Sequence, residues 1–179
     1  QLNIKLNGEK KAISPYIYGV NEAGNSTSLK KVTTHSLRQG GNRFTGYNWE
    51  NNYSNAGRDW NDSSDTNMGD VTDGPAYQAR RLSKEAAENN VDYKMATLQM
   101  AGYTSADKNG TVAASEVAPS SRWNKVEFQK DGALSDTPDL TDDTVYMDEY
   151  VNYLINNLGD STTSTGIQGY NLDNEPVLW

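Results

Sequence analysis

Near the C-terminal end of the sequence a carboxylate stands between an amide and an imino acid, in Asp173-Asn174-Glu175-Pro176. Proline holds the residue before it in extended or turn backbone, and it brings no N–H donor of its own. A glutamic acid held in this way at a sheet edge can protonate a glycosidic oxygen when burial or a second carboxylate raises its pKa. Asn174 can donate to a sugar hydroxyl or orient the glutamate. The same triplet also serves as an ordinary solvated turn, so its place in the fold decides between the two. Glu175 is therefore the first catalytic candidate, with Asn174 beside it.

A second polar group, Asn42 and Arg43, closes the run Gly40-Gly41. The glycines permit close backbone approach or positive φ. Neither G-x-G-x-x-G nor G-x-x-x-x-G-K-[ST] occurs, so no phosphate loop is indicated. Arg43 can keep nearby carboxylates ionised, or serve as the surface residue of a turn. Trp49, Trp60 and Trp123 fall in stretches without regular period. There a ring either stacks on a pyranose face or pins its loop to the body. Glu50, Asp142, Asp143 and Asp148 offer the hard oxygens that calcium takes. No D-x-[DN]-x-[DN]-G loop is present, and Asp142 and Asp143 serve equally well as helix caps. His35 reads as a surface or packing residue, and Arg80-Arg81 as part of a solvated helix face.

The 179 residues carry 16 Lys+Arg against 24 Asp+Glu, one His and no Cys, for a net charge of −8. A nucleic-acid groove needs clustered cations, which this acidic chain lacks. Without cysteine there is no disulfide, thiol nucleophile or thiolate metal site. No apolar run approaches the ~20 residues of a membrane span, and the first ten residues hold no signal-peptide core. What remains are carboxylates, 20 Asn, 11 Tyr and 4 Trp, groups that bind hydroxyls and stack on sugar rings. An Asn-rich solvated surface has the same composition.

These residues need elements to hold them. Residues 2–6 alternate toward Asn7-Gly8, a hairpin signal. Tyr16–Val20 and Ser36–Arg38 read as short strands, with a weak helix over Ser28–Thr34 between them. Residues 44–75 and 103–143 read as long polar loops, a length that compact domains keep for function. Ala79, Leu82 and Ala86 stripe a helix over 76–90, and Val91–Met100 reads as the next strand. Met147, Tyr150, Val151, Leu154, Ile155 and Leu158 give the best helical period, with caps at Asp142–Thr144 and a stop at Gly159. Ile167–Leu172 is a last strand that runs into Asp173-Asn174-Glu175. This alternation predicts an α/β fold with a parallel sheet and its chemistry at the strands' carboxyl ends. Asn21-Glu22, Asn42-Arg43, Gln99 with Tyr103, and Asn174-Glu175 all fall there.

Several blocks also resemble a known family. Ile13–Gly19, Gly40–Gly57, Asp59-Trp60, Pro119–Trp123, Tyr146–Val151 and above all Gly169–Trp179 are similar, in order, to glycoside hydrolase family 44. The resemblance implies a secreted bacterial enzyme, a retaining endo-β-1,4-glucanase acting on cellulose, carboxymethylcellulose or xyloglucan. It also implies a TIM (β/α)8 barrel with an attached β-sandwich. Residues 1–13 would contribute to the sandwich, and residues 14–179 would form the first half of the barrel, about strands one to four. Glu175 is then the acid/base at the end of barrel strand four, with Asn174 its neighbour. Asn42 and Trp60 then line glucosyl subsites; Arg43 and Trp123, from the reading of the residues themselves, are further candidates for binding substrate.

Catalysis on this reading needs no cofactor. Family members hold structural calcium, and Glu50 is the acidic residue in the matching loop, with Asp142 and Asp143 as further candidate ligands. The family's nucleophile is a second glutamate near barrel strand seven, beyond the last strand in this sequence. Retaining hydrolysis needs two carboxyls ~5–5.5 Å apart, and a whole barrel takes ~250 residues. The expectation is therefore a half-enzyme, inactive alone. Its partners are the remaining C-terminal part and a β-glucan, with neither nucleic acid nor membrane. The alternative is a non-catalytic glycan-binding module with Trp49, Trp60 and Trp123 as its stacking platform.

Overall fold

The computed structural model describes residues 11–21 and 34–175, together with Gly8 and Leu29. The strand and hairpin expected around residues 2–8, and most of the helix expected over 28–34, lie outside the described residues. So does most of the segment assigned to a β-sandwich.

Ten strands occur among the described residues. They are β1 (Gly19–Asn21), β2 (Ser36–Arg38), β3 (Ser54–Asn55), β4 (Ser63–Asp65) and β5 (Tyr93–Leu98). The others are β6 (Tyr103–Ser105), β7 (Gly110–Thr111), β8 (Trp123–Glu127), β9 (Thr144–Tyr146) and β10 (Gly169–Leu172). Two α-helices are described in full, α1 (Tyr77–Glu88) and α2 (Met147–Leu158). Strands β1, β2, β5 and β10 form one sheet in that order, and every pair is parallel. Spatial order equals chain order, and α1 and α2 precede β5 and β10. That is how a (β/α)8 barrel begins. Strands β1 and β10 each have one sheet neighbour among the described residues, so the barrel is open.

Helix α1 buries Ala79, Leu82 and Ala86 completely, as its period requires. Helix α2 keeps the predicted end and stops at Gly159, whose φ of +92° favours glycine. Its start differs from expectation. Thr144–Tyr146 pair with Lys125–Glu127 as a strand, and no side chain caps the helix. Its apolar stripe also divides. Met147, Tyr150 and Leu154 are buried, whereas Ile155 is exposed. Val151 lines an open groove of about 330 Å³ with Leu98, Met100, Phe128 and Leu172, beside the β10 edge.

The two long polar segments are not loops throughout. Strands β3, β4 and β7 make one small sheet, and β6, β8 and β9 another. Strands of two to five residues are too short to show alternation, and Ser54, Asn55, Ser63 and Ser64 are polar besides. Arg122 ties the second segment together. It binds the Asp107 carboxylate at 2.6 Å, the Glu116 carboxylate at 3.0 Å and the Gly110 carbonyl at 3.0 Å.

Trp49 corrects one expectation. It is fully buried, stacked on Tyr150 at 5.2 Å and 11°, with Tyr153 at 5.7 Å. It belongs to the core with Leu37, Tyr47 and Leu82 and pins its segment beneath α2. A ring in that position cannot stack on a sugar.

Candidate active site

The parallel sheet sets the carboxyl ends of β1, β2, β5 and β10 side by side. The ladder runs one bond past β10, where the Asp173 N–H donates to the Leu98 carbonyl at 2.7 Å. There the backbone turns. Asp173 has a φ of +63°, a left-handed conformation that Asp tolerates better than most residues. Asn174 reaches back over the sheet, and its Oδ1 accepts from Arg38 Nη2 at 2.9 Å. Arg38 Nε donates in turn to Asn21 Oδ1 at 2.9 Å. One guanidinium thus links the ends of β1, β2 and β10. Asn174 Nδ2 is buried and has no protein partner among the described residues. Glu175 is exposed, and its N–H donates to Thr45 Oγ1 at 3.3 Å.

The other candidates lie around this edge. Asn42 is buried, and its Nδ2 donates to the Ala56 carbonyl at 2.5 Å. That bond holds the turn Gly57–Trp60 against the turn Asn42–Phe44, which Gly41 opens at φ +117°. Trp60 ends the former turn and is 67% exposed. Arg43 is directed elsewhere. It grips Asp65 with two bonds, at 2.7 and 3.0 Å, and donates to Ser54 Oγ at 3.1 Å. No bond among the described residues joins it to Glu175, and the carboxylate it orients is Asp65. Trp123 opens β8 with its Nε1 on the Glu116 carbonyl at 3.1 Å. It lines two grooves together with Tyr103. One, of about 470 Å³, includes Asn55 and Arg58, and the other, of about 650 Å³, includes Ser120 and Asp142.

The acidic candidates separate. Glu50 is buried, and that burial, followed by the Asp142 and Glu149 carboxylates, pushes its pKa up to about 8 against the pull of Lys130. Asp143 takes no part. Its carbonyl accepts from the Lys125 N–H at 2.7 Å, next to the β8–β9 pairing. Among the described residues no three acidic side chains converge as a metal cage. Glu50, with the Asp142 carboxylate near it, supplies the negative charge that a hard cation takes.

Sequence reasoning passed over Glu149, Asp173, Thr45 and Arg38. Glu149 is fully buried, paired with Lys130 Nζ at 2.7 Å and accepting from the Ser135 N–H at 2.8 Å. Asp173 touches the Asn-Glu-Pro triplet in sequence and Arg38 ends a strand, but their partners lie far along the chain.

The sequence profile described as Glycoside hydrolase family 44 matches residues 53–179. The chain is 48% identical over 186 residues to Beta-mannanase/endoglucanase A of Caldicellulosiruptor saccharolyticus, an alignment covering 100% of this chain and 14% of that protein. It is 50% identical over 183 residues to Endoglucanase A of Paenibacillus lautus, covering 98% of this chain and 25% of that protein. The crystal structure of a family 44 endoglucanase from Clostridium thermocellum matches with a TM-score of 0.84 at 50% identity. That match covers 94% of this chain and 33% of the other. The chain therefore spans a quarter or less of these curated relatives, and its α/β fold is part of a TIM barrel that is not closed. The reading as a glycan-binding module is not favoured: the fold is a catalytic-type barrel segment, and one of its three platform rings is buried. The chain belongs to glycoside hydrolase family 44.

Proposed function

We propose that this chain is the N-terminal portion of a retaining endo-β-1,4-glucanase in which Glu175 is the general acid/base. The observation that carries the reading is the seating of Asn174 and Glu175 at the carboxyl end of the fourth parallel strand, in a chain of this family. Glu175 gives its proton to the glycosidic oxygen of the departing sugar and then takes one from the attacking water. Asn174 stands beside Glu175, its Oδ1 held by Arg38. Trp60, and Trp123 beside Tyr103, offer ring faces to neighbouring sugars. Asn42 holds the Trp60 turn, and Arg43 braces the floor through Asp65. The attacking carboxylate belongs to the remainder of the barrel, which docks along the β10 edge over Leu172, Met100 and Phe128. Alone, this chain does not cleave. The substrate is a β-1,4-glucan such as cellulose, carboxymethylcellulose or xyloglucan, met outside the cell, and residues 1–13 lead in from the β-sandwich. The test is turnover of such a glucan by the full-length protein with and without the Glu175 carboxyl. Loss of turnover with oligosaccharide binding kept supports the assignment, and unchanged turnover overturns it.

We also propose that Ca²⁺, with a structural role, is the counter-ion of Glu50, and that Asp142 is its second carboxylate. Without a cation, Glu50 at neutral pH lies below its raised pKa and keeps its proton. The unfolded chain releases that proton near pH 4.5, the folded chain near 8. Between the two the folded state binds more protons, so this group's contribution to stability falls as pH rises. By pH 8 the loss is on the order of a few kcal/mol, or roughly 5–10 °C in Tm for a chain of this size. With chelator, the wild type is expected to lose that much relative to Glu50→Gln across the window, and calcium is expected to restore it. A melt indifferent to calcium removes the ion. A pH dependence identical in wild type and variant removes Glu50.

A further inference from the structure

Asp173 and Thr45 hold the backbone that carries Glu175. Asp173 is buried, and its carboxylate accepts three hydrogen bonds. Thr45 Oγ1 and the Asn174 N–H both donate to Oδ1 at 2.7 Å, and the Met100 N–H donates to Oδ2 at 2.9 Å. Its carbonyl accepts from Asn171 Nδ2 at 2.7 Å. Every polar group of this one residue is engaged, by partners following β2, at and beyond the end of β5, and within and just after β10. That network keeps a non-glycine residue in left-handed backbone next to the reacting carboxyl.

Thr45 is fully buried just past the turn Asn42–Phe44, with its N–H on the Asn42 carbonyl at 3.0 Å. Its hydroxyl works in both directions, donating to Asp173 and accepting from the Glu175 N–H. The two peptide N–H groups on either side of the Asn174 α-carbon are thus fixed, one by Asp173 and the other by Thr45. A strand end needs neither bond to stop. Their common effect is on where the Glu175 side chain starts.

We propose that Thr45 and Asp173 are positioning residues for the general acid, so that proton delivery by Glu175 depends on the Thr45 hydroxyl. The inference rests on the assignment of Glu175 as acid/base. A carboxyl must come within hydrogen-bond reach of the oxygen it protonates, and a misplacement near 1 Å costs on the order of 10²-fold in rate. The cost falls only on substrates whose leaving oxygen needs a proton.

The test compares Thr45→Val, Thr45→Ser and Asp173→Asn with the wild type in the full-length enzyme, on two substrates. A cellooligosaccharide needs acid assistance, whereas a dinitrophenyl β-cellobioside releases a stable phenolate without it. Thr45→Val is expected to lower kcat/KM about 10–100-fold on the oligosaccharide and less than about 3-fold on the aryl glycoside, with Thr45→Ser restoring the first. Equal losses on both substrates, or no loss, overturn the proposal. Should Thr45→Val not fold, Asp173→Asn keeps the shape, sets an amide N–H₂ that cannot accept among the three donors from Thr45, Asn174 and Met100, and is judged by the same ratio. Glu175→Gln, run in parallel, separates the two assignments. If it keeps oligosaccharide turnover, the acid/base role fails. If it loses turnover while Thr45→Val does not, only the positioning role fails.

Discussion

Exchange of Glu175 for glutamine in the full-length enzyme is expected to lower kcat on a β-1,4-glucan by roughly 10²–10⁴-fold, the range that a positioned general acid supplies. Glutamine keeps the size and polarity of the side chain but has no carboxyl proton to give and no carboxylate to take one back. Binding is expected to survive, because among the described residues the fold uses the backbone N–H of Glu175 and the side chains of Asn174 and Asp173, not the Glu175 carboxyl. Titration of a cellooligosaccharide into the variant is expected to give a Kd within about 3-fold of the wild type, under 1 kcal/mol of binding energy. A kcat within a few fold of the wild type ends the assignment. A lost Kd assigns Glu175 to binding instead.

Trp49→Ala is expected to have the largest effect on stability, roughly 3–5 kcal/mol for the emptied volume, with about 1 kcal/mol more for the stack on Tyr150. That is on the order of 10 °C in Tm. Trp49→Phe is expected to cost much less, since a ring still fills the site and the buried, unpartnered indole N–H disappears. Thermal melts of both variants check this. A Trp49→Ala protein that melts like the wild type but binds oligosaccharide more weakly makes the ring a sugar platform after all.

Trp49 also shows where a sequence stops being legible. Its stretch has no period, so a ring for sugar and a ring for packing look alike, and the decision comes from Tyr150 on a helix a hundred positions later. The two helices and β5 were legible because twelve-residue stripes and a bounded apolar run report their own burial. The end of β10 was legible for the same reason, and with it the place of Asn174 and Glu175. Strands β3, β4, β6 and β7 were not, because two or three polar residues carry no period. Nor was the direction of Arg43, set by Asp65 across the β3–β4 hairpin. Thr45 and Asp173 stand 128 positions apart, and nothing local in either marks the other. Glu50 stood out as a hard oxygen for calcium, but its raised pKa arises from burial and from Asp142 and Glu149 brought to it by the fold.

The role of Glu175 is tested most directly by chemical rescue of Glu175→Ala in the full-length enzyme. A dinitrophenyl β-cellobioside forms the glycosyl-enzyme without an acid, and azide, which needs no base, then attacks from the face that water uses. β-Cellobiosyl azide, formed at a rate that rises with azide concentration, is the predicted product. An α-azide, or no rescue at all, contradicts the assignment of Glu175 as the acid/base of a double displacement.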